Sequence, residues 1–365
     1  MTTRQRLDLL ARAYPRLFPR TELLHLLRDQ LGHVDALDTW IRREDVRVRA
    51  RAPKIIYHIC AGNLAVSAWT SLAHGLLLGA HNVVKLPGDR DEGNRPSSTT
   101  RREILAFIRG LPAPLRKLVE THRELDVDLL HQAEVIVAFG ADTTMKGLRA
   151  LIRWDQKFIA HGHALSLLWL ADPNRLTPRQ ARACAVDILI YDQLGCLSPQ
   201  AIYVPPGTDF YSLGRKLAHA LEAHWLGLKK KPARPLSVAA RIAEARDMAH
   251  ALGHRVWLPP KHHLGWTLIH NPDPAFQPSP LHGVITLREA GESRLGAALA
   301  SVAGRISTVG ITDRLSARLE NVFLGLGVSR FCAAGRMQFP PLTWHHDGRS
   351  SLADLVAWID SENFE

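Results

Sequence analysis

Cysteine is scarce in this chain: four residues in 365, at positions 60, 184, 196 and 332. None are spaced as CxxC, which excludes a zinc ribbon or a thioredoxin-like redox pair. So few thiols cannot staple a small secreted scaffold, and they fit reduced thiols in a cytoplasmic protein. The start, MTTRQRLDLL, lacks an apolar signal core. The longest apolar stretch near it, residues 64–84, carries two histidines, two serines and two glycines, too polar to read as a membrane span. Also missing is a GxGxxG after a first strand, so the standard dinucleotide fingerprint is absent. Acidic side chains are the minority: 35 Asp and Glu stand against 46 Lys and Arg, a formal net charge of +11. The surplus is spread out, dense only at 42–51 and in KKK at 229–231. A dispersed surplus reads as a solvated surface suited to anionic partners rather than as a nucleic-acid interface.

What is present is the material of a large soluble α/β protein. Hydrophobic residues make up 46% and charged ones 22%, enough for two cores. Leucines at helical spacing predict helices over 4–13 and 21–31. Apolar runs then alternate with helical ones: strands at 54–60, 81–86 and 135–140, helices at 64–79, 97–109 and 143–153. A βαβαβ rhythm implies a parallel sheet covered by helices. Further on, strands are expected at 165–170, 201–206, 255–260, 265–270 and 283–289, with helices near 177–190, 209–226, 236–252 and 291–303. The basic segment 227–235 reads as a loop, and no internal repeat is present. Two strand-to-helix turns, ICAGN (59–63) and FGADTT (139–144), set small residues at a helix N-terminus, where anions bind.

Cys196 sits after a glycine, on a turn between a helix and a strand in YDQLGCLSPQ (191–200). A lone cysteine is most often a small buried hydrophobe, and Cys60, Cys184 and Cys332 keep that reading, at a strand end, on a helix face and in a turn near the C-terminus. A displayed turn instead suits a nucleophile. Asn63, taken alone, is equally a helix N-cap. His161 and His163 are candidates for acid–base work, or structural histidines. In WHHDG (344–348) the adjacent histidines point to different faces with no third ligand spaced nearby, so no metal is expected.

In one order, KIIYHICAGN, HNVVKLPGDRD, VIVAFGADTT, FIAHGHALS and DQLGCLSPQ together resemble the aldehyde dehydrogenase superfamily. Within it, and through GVSRFCAAGRMQFPPLTWHHDG, the chain is similar to the acyl-CoA reductases of the bacterial bioluminescence (Lux-type) fatty acid reductase family. The resemblance spans roughly residues 50 to 350. It implies an aldehyde dehydrogenase-like fold of two α/β domains: N-terminal helices and a Rossmann-like NAD(P)-binding domain over 1–160, and a catalytic domain bearing the cysteine over 161–335. Residues 336–365 would then pack back on the cofactor domain. Asn63 lies 133 residues (196 − 63) before Cys196, similar to the superfamily's spacing of oxyanion asparagine and nucleophile. The resemblance thus makes Cys196 the nucleophile and Asn63 the oxyanion donor. Lys85 becomes the adenosine-ribose lysine, with Gly140 and Ala141 in the phosphate-binding turn.

Two departures carry the functional expectation. Where the general-base glutamate belongs, Ala160 and His161 stand; where the nicotinamide-ribose glutamate belongs, PAFQPSP (274–280) stands. Without a base to activate water, a thioester on Cys196 has no hydrolytic exit, whereas thiol exchange and hydride transfer remain open. The expected activity is reduction of an acyl-CoA or acyl-carrier-protein thioester to an aldehyde, with His161 as the candidate replacement for the lost base. Oxidation of an aldehyde, or a non-catalytic partner of an acyl-transfer or acyl-activating enzyme, are the alternatives. Arg90, just after Lys85, is placed to pair with a 2′-phosphate, which favours NADPH over NADH. A homodimer through the strand edges of 45–59 is a further expectation.

Overall fold

The computed structural model describes residues 1–88 and 97–362. Arg90 therefore lies outside the described residues. The chain divides into two compact units, residues 1–163 with 341–365, and residues 164–340.

The first unit opens with α1 (Thr3–Ala13) and α2 (Arg20–Leu31). Thr2 caps α1 in a reciprocal capping box with Gln5, and Gly32 ends α2 in the left-handed conformation. Leu7, Leu10, Leu23, Leu26 and Leu27 are fully buried, as the helical spacing predicts. Strands β1 (Ile41–Arg43) and β2 (Val46–Arg51) form an antiparallel pair.

A parallel sheet follows, with β3 (Ile55–Ile59), α3 (Val66–Leu78), β4 (His81–Lys85), α4 (Ser97–Gly110), the single turn α5 (Ala113–Arg116), β5 (Val119–His122), α6 (Val127–Gln132), β6 (Val135–Phe139), α7 (Asp142–Arg149) and β7 (Lys157–His161). Its order is β5-β4-β3-β6-β7, with every neighbouring pair parallel. The first strand lies in the middle, and successive crossovers run outward to both sides. Such a sheet has its topological switch point between β3 and β6, and ligands bind outside the carboxyl ends there. Both turns singled out in the sequence, 59–63 and 139–144, leave the sheet at that point. The sheet is thus of Rossmann type although the glycine fingerprint is absent.

One buried polar cluster shapes this unit. His58 of β3 bonds Ser71 Oγ of α3 at 2.8 Å and Asn82 Oδ1 of β4 at 3.0 Å. Gly75 lets α3 approach the pair, since a Cβ there would collide with Asn82 Oδ1 and crowd His58 Nε2.

The second unit contains β8 (Leu165–Trp169), α8 (Pro178–Leu189), β9 (Pro199–Val204), α9 (Phe210–Gly227), α10 (Leu236–Ala251), β10 (Arg255–Trp257), β11 (Thr267–His270), β12 (Val284–Glu289), α11 (Glu292–Ala298), β13 (Ile306–Ile311), α12 (Ala317–Gly325) and β14 (Arg330–Ala333). Its sheet runs β10-β11-β12-β9-β8-β13-β14, with only β10 antiparallel to its neighbour. Strand alternation supplies both faces: Leu168, Ile202 and Leu287 pack under α8 and α9, while Leu167, Tyr203 and Val309 pack under α11 and α12. The segment RFCAAG, expected as a turn, begins with strand β14 beside β13. Its side chains are only part-buried at the sheet edge, so it carries a weak apolar signal.

The last strand, β15 (Ala357–Ser361), returns to the first unit and pairs antiparallel with β2. Among the described residues, no helix is long and apolar enough to cross a membrane.

Candidate active site

In the second unit, α8 ends at Leu189 and the chain turns sharply into β9. Tyr191, Asp192 and Gln193 all take positive φ, at 55°, 56° and 61°. Three successive non-glycine residues in the left-handed region are costly and persist only where their surroundings hold them. The tight turn that follows carries Cys196, with Leu194 N–H donating to Tyr191 O (3.1 Å) and Ser198 N–H to Gly195 O (2.9 Å). Ser166 Oγ donates to the Cys196 carbonyl at 2.8 Å, and Gln338 Nε2 donates to Ser198 Oγ at 2.9 Å.

Cys196 is exposed, whereas Cys60 and Cys184 are buried and Cys332 is half-buried. Burial pushes the Cys60 thiol up to about 12 and Cys332 up to about 11, and raises Cys184 as well. A buried thiol that resists ionisation is inert as a nucleophile. Accessibility therefore singles out the same cysteine that its setting in the sequence does.

In the first unit, Asn63, Lys85, Gly140 and Ala141 lie along the carboxyl edge of the parallel sheet. Asn63 is half-buried in the turn from β3 to α3, and Lys85 closes β4, its carbonyl accepting from Cys60 N–H at 3.1 Å. Gly140 follows β6, its N–H donating to His161 O at 3.2 Å, and Ala141 precedes α7 without a side-chain cap. The Asp142 carboxylate, in the first turn of α7, accepts from His163 N–H at 3.0 Å, tying the ends of β6 and β7 together. Small residues, uncapped helix N–H groups and the switch point suit a dinucleotide phosphate.

His161 has neighbours that sequence spacing could not reveal. Its Nδ1 lies 2.8 Å from Asp347 Oδ2, and its side chain is only 11% exposed. The ring lies against both Phe139 (centroids 4.7 Å apart, 10° between planes) and His346 (4.2 Å, 21°), which are themselves 6.2 Å apart, so the three rings form a cluster. Trp344 also lies against His346, centroids 4.6 Å apart with 30° between planes. Burial, then the adjacent His161, hold His346 down to about 4. Burial alone would raise the Asp347 carboxyl, but the His161 hydrogen bond and nearby ring charges leave it lowered.

The expectation that no third ligand lies near the adjacent histidines does not hold in space. His161, His346 and Asp347 offer donor atoms within 4.8 Å of one another. The Asp347 carboxylate is already engaged by His161 Nδ1 at 2.8 Å, so an imidazole–carboxylate hydrogen bond accounts for this grouping. Asp347 and His346 were missed from the sequence because 185 or more residues separate them from His161; the only local signal was the polar, aromatic run WHHDG.

The family model described as "Acyl-CoA reductase (LuxC)" matches residues 2–358. The long-chain acyl-protein thioester reductase of Aliivibrio fischeri is 23% identical over 352 residues, covering 94% of this chain and 71% of that one. The enzyme of the same name from Photobacterium phosphoreum is 21% identical over 353 residues, covering 94% and 70%. Among solved structures, lactaldehyde dehydrogenase from Escherichia coli superposes with a TM-score of 0.67 at 15% identity, covering 99% of this chain and 87% of that one. NADP-dependent glyceraldehyde-3-phosphate dehydrogenase from Bacillus halodurans, complexed with NADP, gives 0.68 at 14%, covering 99% and 87%. An exposed cysteine on a braced turn, a Rossmann-type sheet and a family match across nearly the whole length converge: this chain belongs to the acyl-CoA reductase (LuxC) family, built on the aldehyde dehydrogenase fold.

Proposed function

We propose that this chain reduces a long-chain acyl thioester to the aldehyde through a covalent acyl group on Cys196. The observation that carries the reading is the contrast among the thiols: Cys196 is exposed on a braced turn, and the other three are buried or half-buried with raised pKa values. The Cys196 thiolate attacks the thioester carbonyl; a new C–S bond forms, and the donor thiolate leaves and takes up a proton. Asn63 is the proposed oxyanion donor, its side-chain amide hydrogen-bonding the charge that develops on the carbonyl oxygen. A reduced nicotinamide dinucleotide, when bound, supplies the hydride that reduces the acyl carbon. The hemithioacetal oxyanion on Cys196 then collapses, the C–S bond breaks, and aldehyde departs as the thiolate is restored.

No glutamate stands at Ala160, which supports reduction over hydrolysis of the acyl enzyme. His161, hydrogen-bonded to Asp347, is the proposed proton carrier for thiol exchange. Lys85, Gly140 and Ala141 are the proposed dinucleotide contacts, and Arg90 supports NADPH as the donor. The proposed acyl source is a CoA or carrier-protein thioester, delivered with an acyl-transfer or acyl-activating partner enzyme; the relatives' name, acyl-protein thioester reductase, supports a protein-borne donor.

Intact-protein mass spectrometry with a panel of acyl-CoAs tests the reading. One acyl adduct is expected on the wild type, none on Cys196→Ala, and loss of the adduct with aldehyde release on adding NADPH. An adduct that survives Cys196→Ala would refute it.

A further inference from the structure

The turn that carries Cys196 is braced by a buried ion cluster with no counterpart in the sequence reading. Asp192 receives both Arg234 guanidinium nitrogens, Nη1 at 2.7 Å and Nη2 at 2.8 Å, and lies 2.6 Å from His282 Nδ1. The three side chains are 12%, 11% and 3% exposed. Arg234 also donates from Nε to the Leu264 carbonyl at 3.0 Å and from Nη2 to the His282 carbonyl at 3.4 Å.

Asp192 and His282 both have positive φ. Residues 191–193 form one left-handed segment, and Leu281, His282 and Gly283, with φ of 67°, 57° and 83°, form another. The two are joined a second time through Gln193, which is fully buried. Its Oε1 accepts from Gly283 N–H at 2.8 Å, while its Nε2 donates to Pro199 O (2.8 Å) and Val284 O (3.1 Å). Two strained segments far apart in sequence thus hold each other in place, and the turn of Cys196 begins one residue after Gln193. Strain of this kind survives only when many contacts over-determine it, and it concentrates where geometry serves function.

We propose that Asp192, Arg234 and His282 are positioning residues that hold the nucleophile turn in the conformation in which Cys196 accepts an acyl group. The inference rests on the reading of Cys196 as the nucleophile. A paired Asp–Arg charge, further bonded by an imidazole, is a stiff brace because breaking one member leaves a buried charge uncompensated. Asp192→Asn keeps the shape of the side chain and removes its charge. His282→Asn keeps a donor near the position of Nδ1, whereas His282→Leu removes it.

The test measures Cys196 acylation by saturating acyl-CoA in single turnovers, alongside alkylation of the same thiol by iodoacetamide and thermal melting. Alkylation by a small reagent needs accessibility but little orientation, so it separates placement from collapse of the turn. Asp192→Asn should slow maximal acylation at least about tenfold while alkylation changes less than about threefold. His282→Asn should retain more acylation than His282→Leu at equal alkylation. If Asp192→Asn acylates at the wild-type rate, or the two His282 variants are equal in acylation, the positioning role is overturned; the His282 pair decides it alone should Asp192→Asn fail to fold. Should the wild type itself take up no acyl group on Cys196, the nucleophile reading fails first and the positioning role falls with it.

Discussion

Single residues here differ chiefly in what surrounds them. Asn63 occupies the turn before α3, whose N-terminal boundary residue is Ala65. Asn63→Ala is expected to slow turnover roughly a hundredfold, the usual loss for one oxyanion donor, beyond any change in stability. An equal fall in stability and rate would mark Asn63 as structural. His74 is the opposite case. It is buried on α3, its Nε2 has no hydrogen-bond partner among the described residues, and burial, then the charges of His58, His346 and His161, press it down to about 3. Replacing an unsatisfied polar atom by an apolar one removes a desolvation penalty. His74→Leu should melt at or above the wild-type temperature at pH 5; a marked drop would show that the ring is bonded in a way this geometry does not contain. Cys196 was readable from its setting, but its bracing by Asp192, Arg234 and His282 was not, since the partners lie 42 and 90 residues away.

At the scale of elements, long amphipathic or uniformly apolar segments were legible because their periodicity is local. Helices α1, α2, α8, α9 and α10 and strands β3, β4, β6 and β8 fall within a few residues of the expected spans. The strands that escaped notice, β1, β5, β7, β13, β14 and β15, are short or mixed in polarity, and long-range pairing makes them strands. KFIAH, for example, joins the sheet only through β6. The approach of α3 to β3 and β4 is likewise a tertiary matter, decided by one missing Cβ. Gly75→Ala would push a methyl group into the His58–Asn82 hydrogen bond and should cost about 1–3 kcal/mol in denaturant unfolding. An unchanged denaturation midpoint would mean that the helix yields freely.

For the whole molecule, charge and buried histidines set the response to solvent. His58, His74 and His346 are held at about 4, 3 and 4, in each case mainly by burial. Their folded pKa values lie below the unfolded value near 6.5, so between about pH 6.5 and pH 4 the unfolded chain binds protons that the folded one refuses. Stability from these rings is complete above pH 6.5 and is lost as pH falls. The melting temperature should be at least about 5 °C lower at pH 5 than at pH 7, and His74→Leu should shrink that difference. A flat profile would mean the rings titrate normally. The net charge of +11 should also make an acidic carrier-protein donor bind more weakly as salt rises from about 50 to about 200 mM, read as an increase in its KM with kcat unchanged.

The sequence by itself determined the two α/β halves, the turn that carries Cys196, the row of candidate cofactor residues and the alanine at 160, where the resemblance leads one to expect a carboxylate. Each of these is written in local periodicity or in an ordered set of short motifs. Only the tertiary structure decided that His161 hydrogen-bonds Asp347 beside the ring of His346. It alone showed two left-handed segments holding each other next to the turn of Cys196, and His161 brought within 4.8 Å of the donor atoms of the distant pair His346 and Asp347. The physical reason is common to all three. Side-chain hydrogen bonds, ion pairs and backbone strain depend on distances of a few ångströms, and one chain read in order carries no record of which distant residues the fold brings that close.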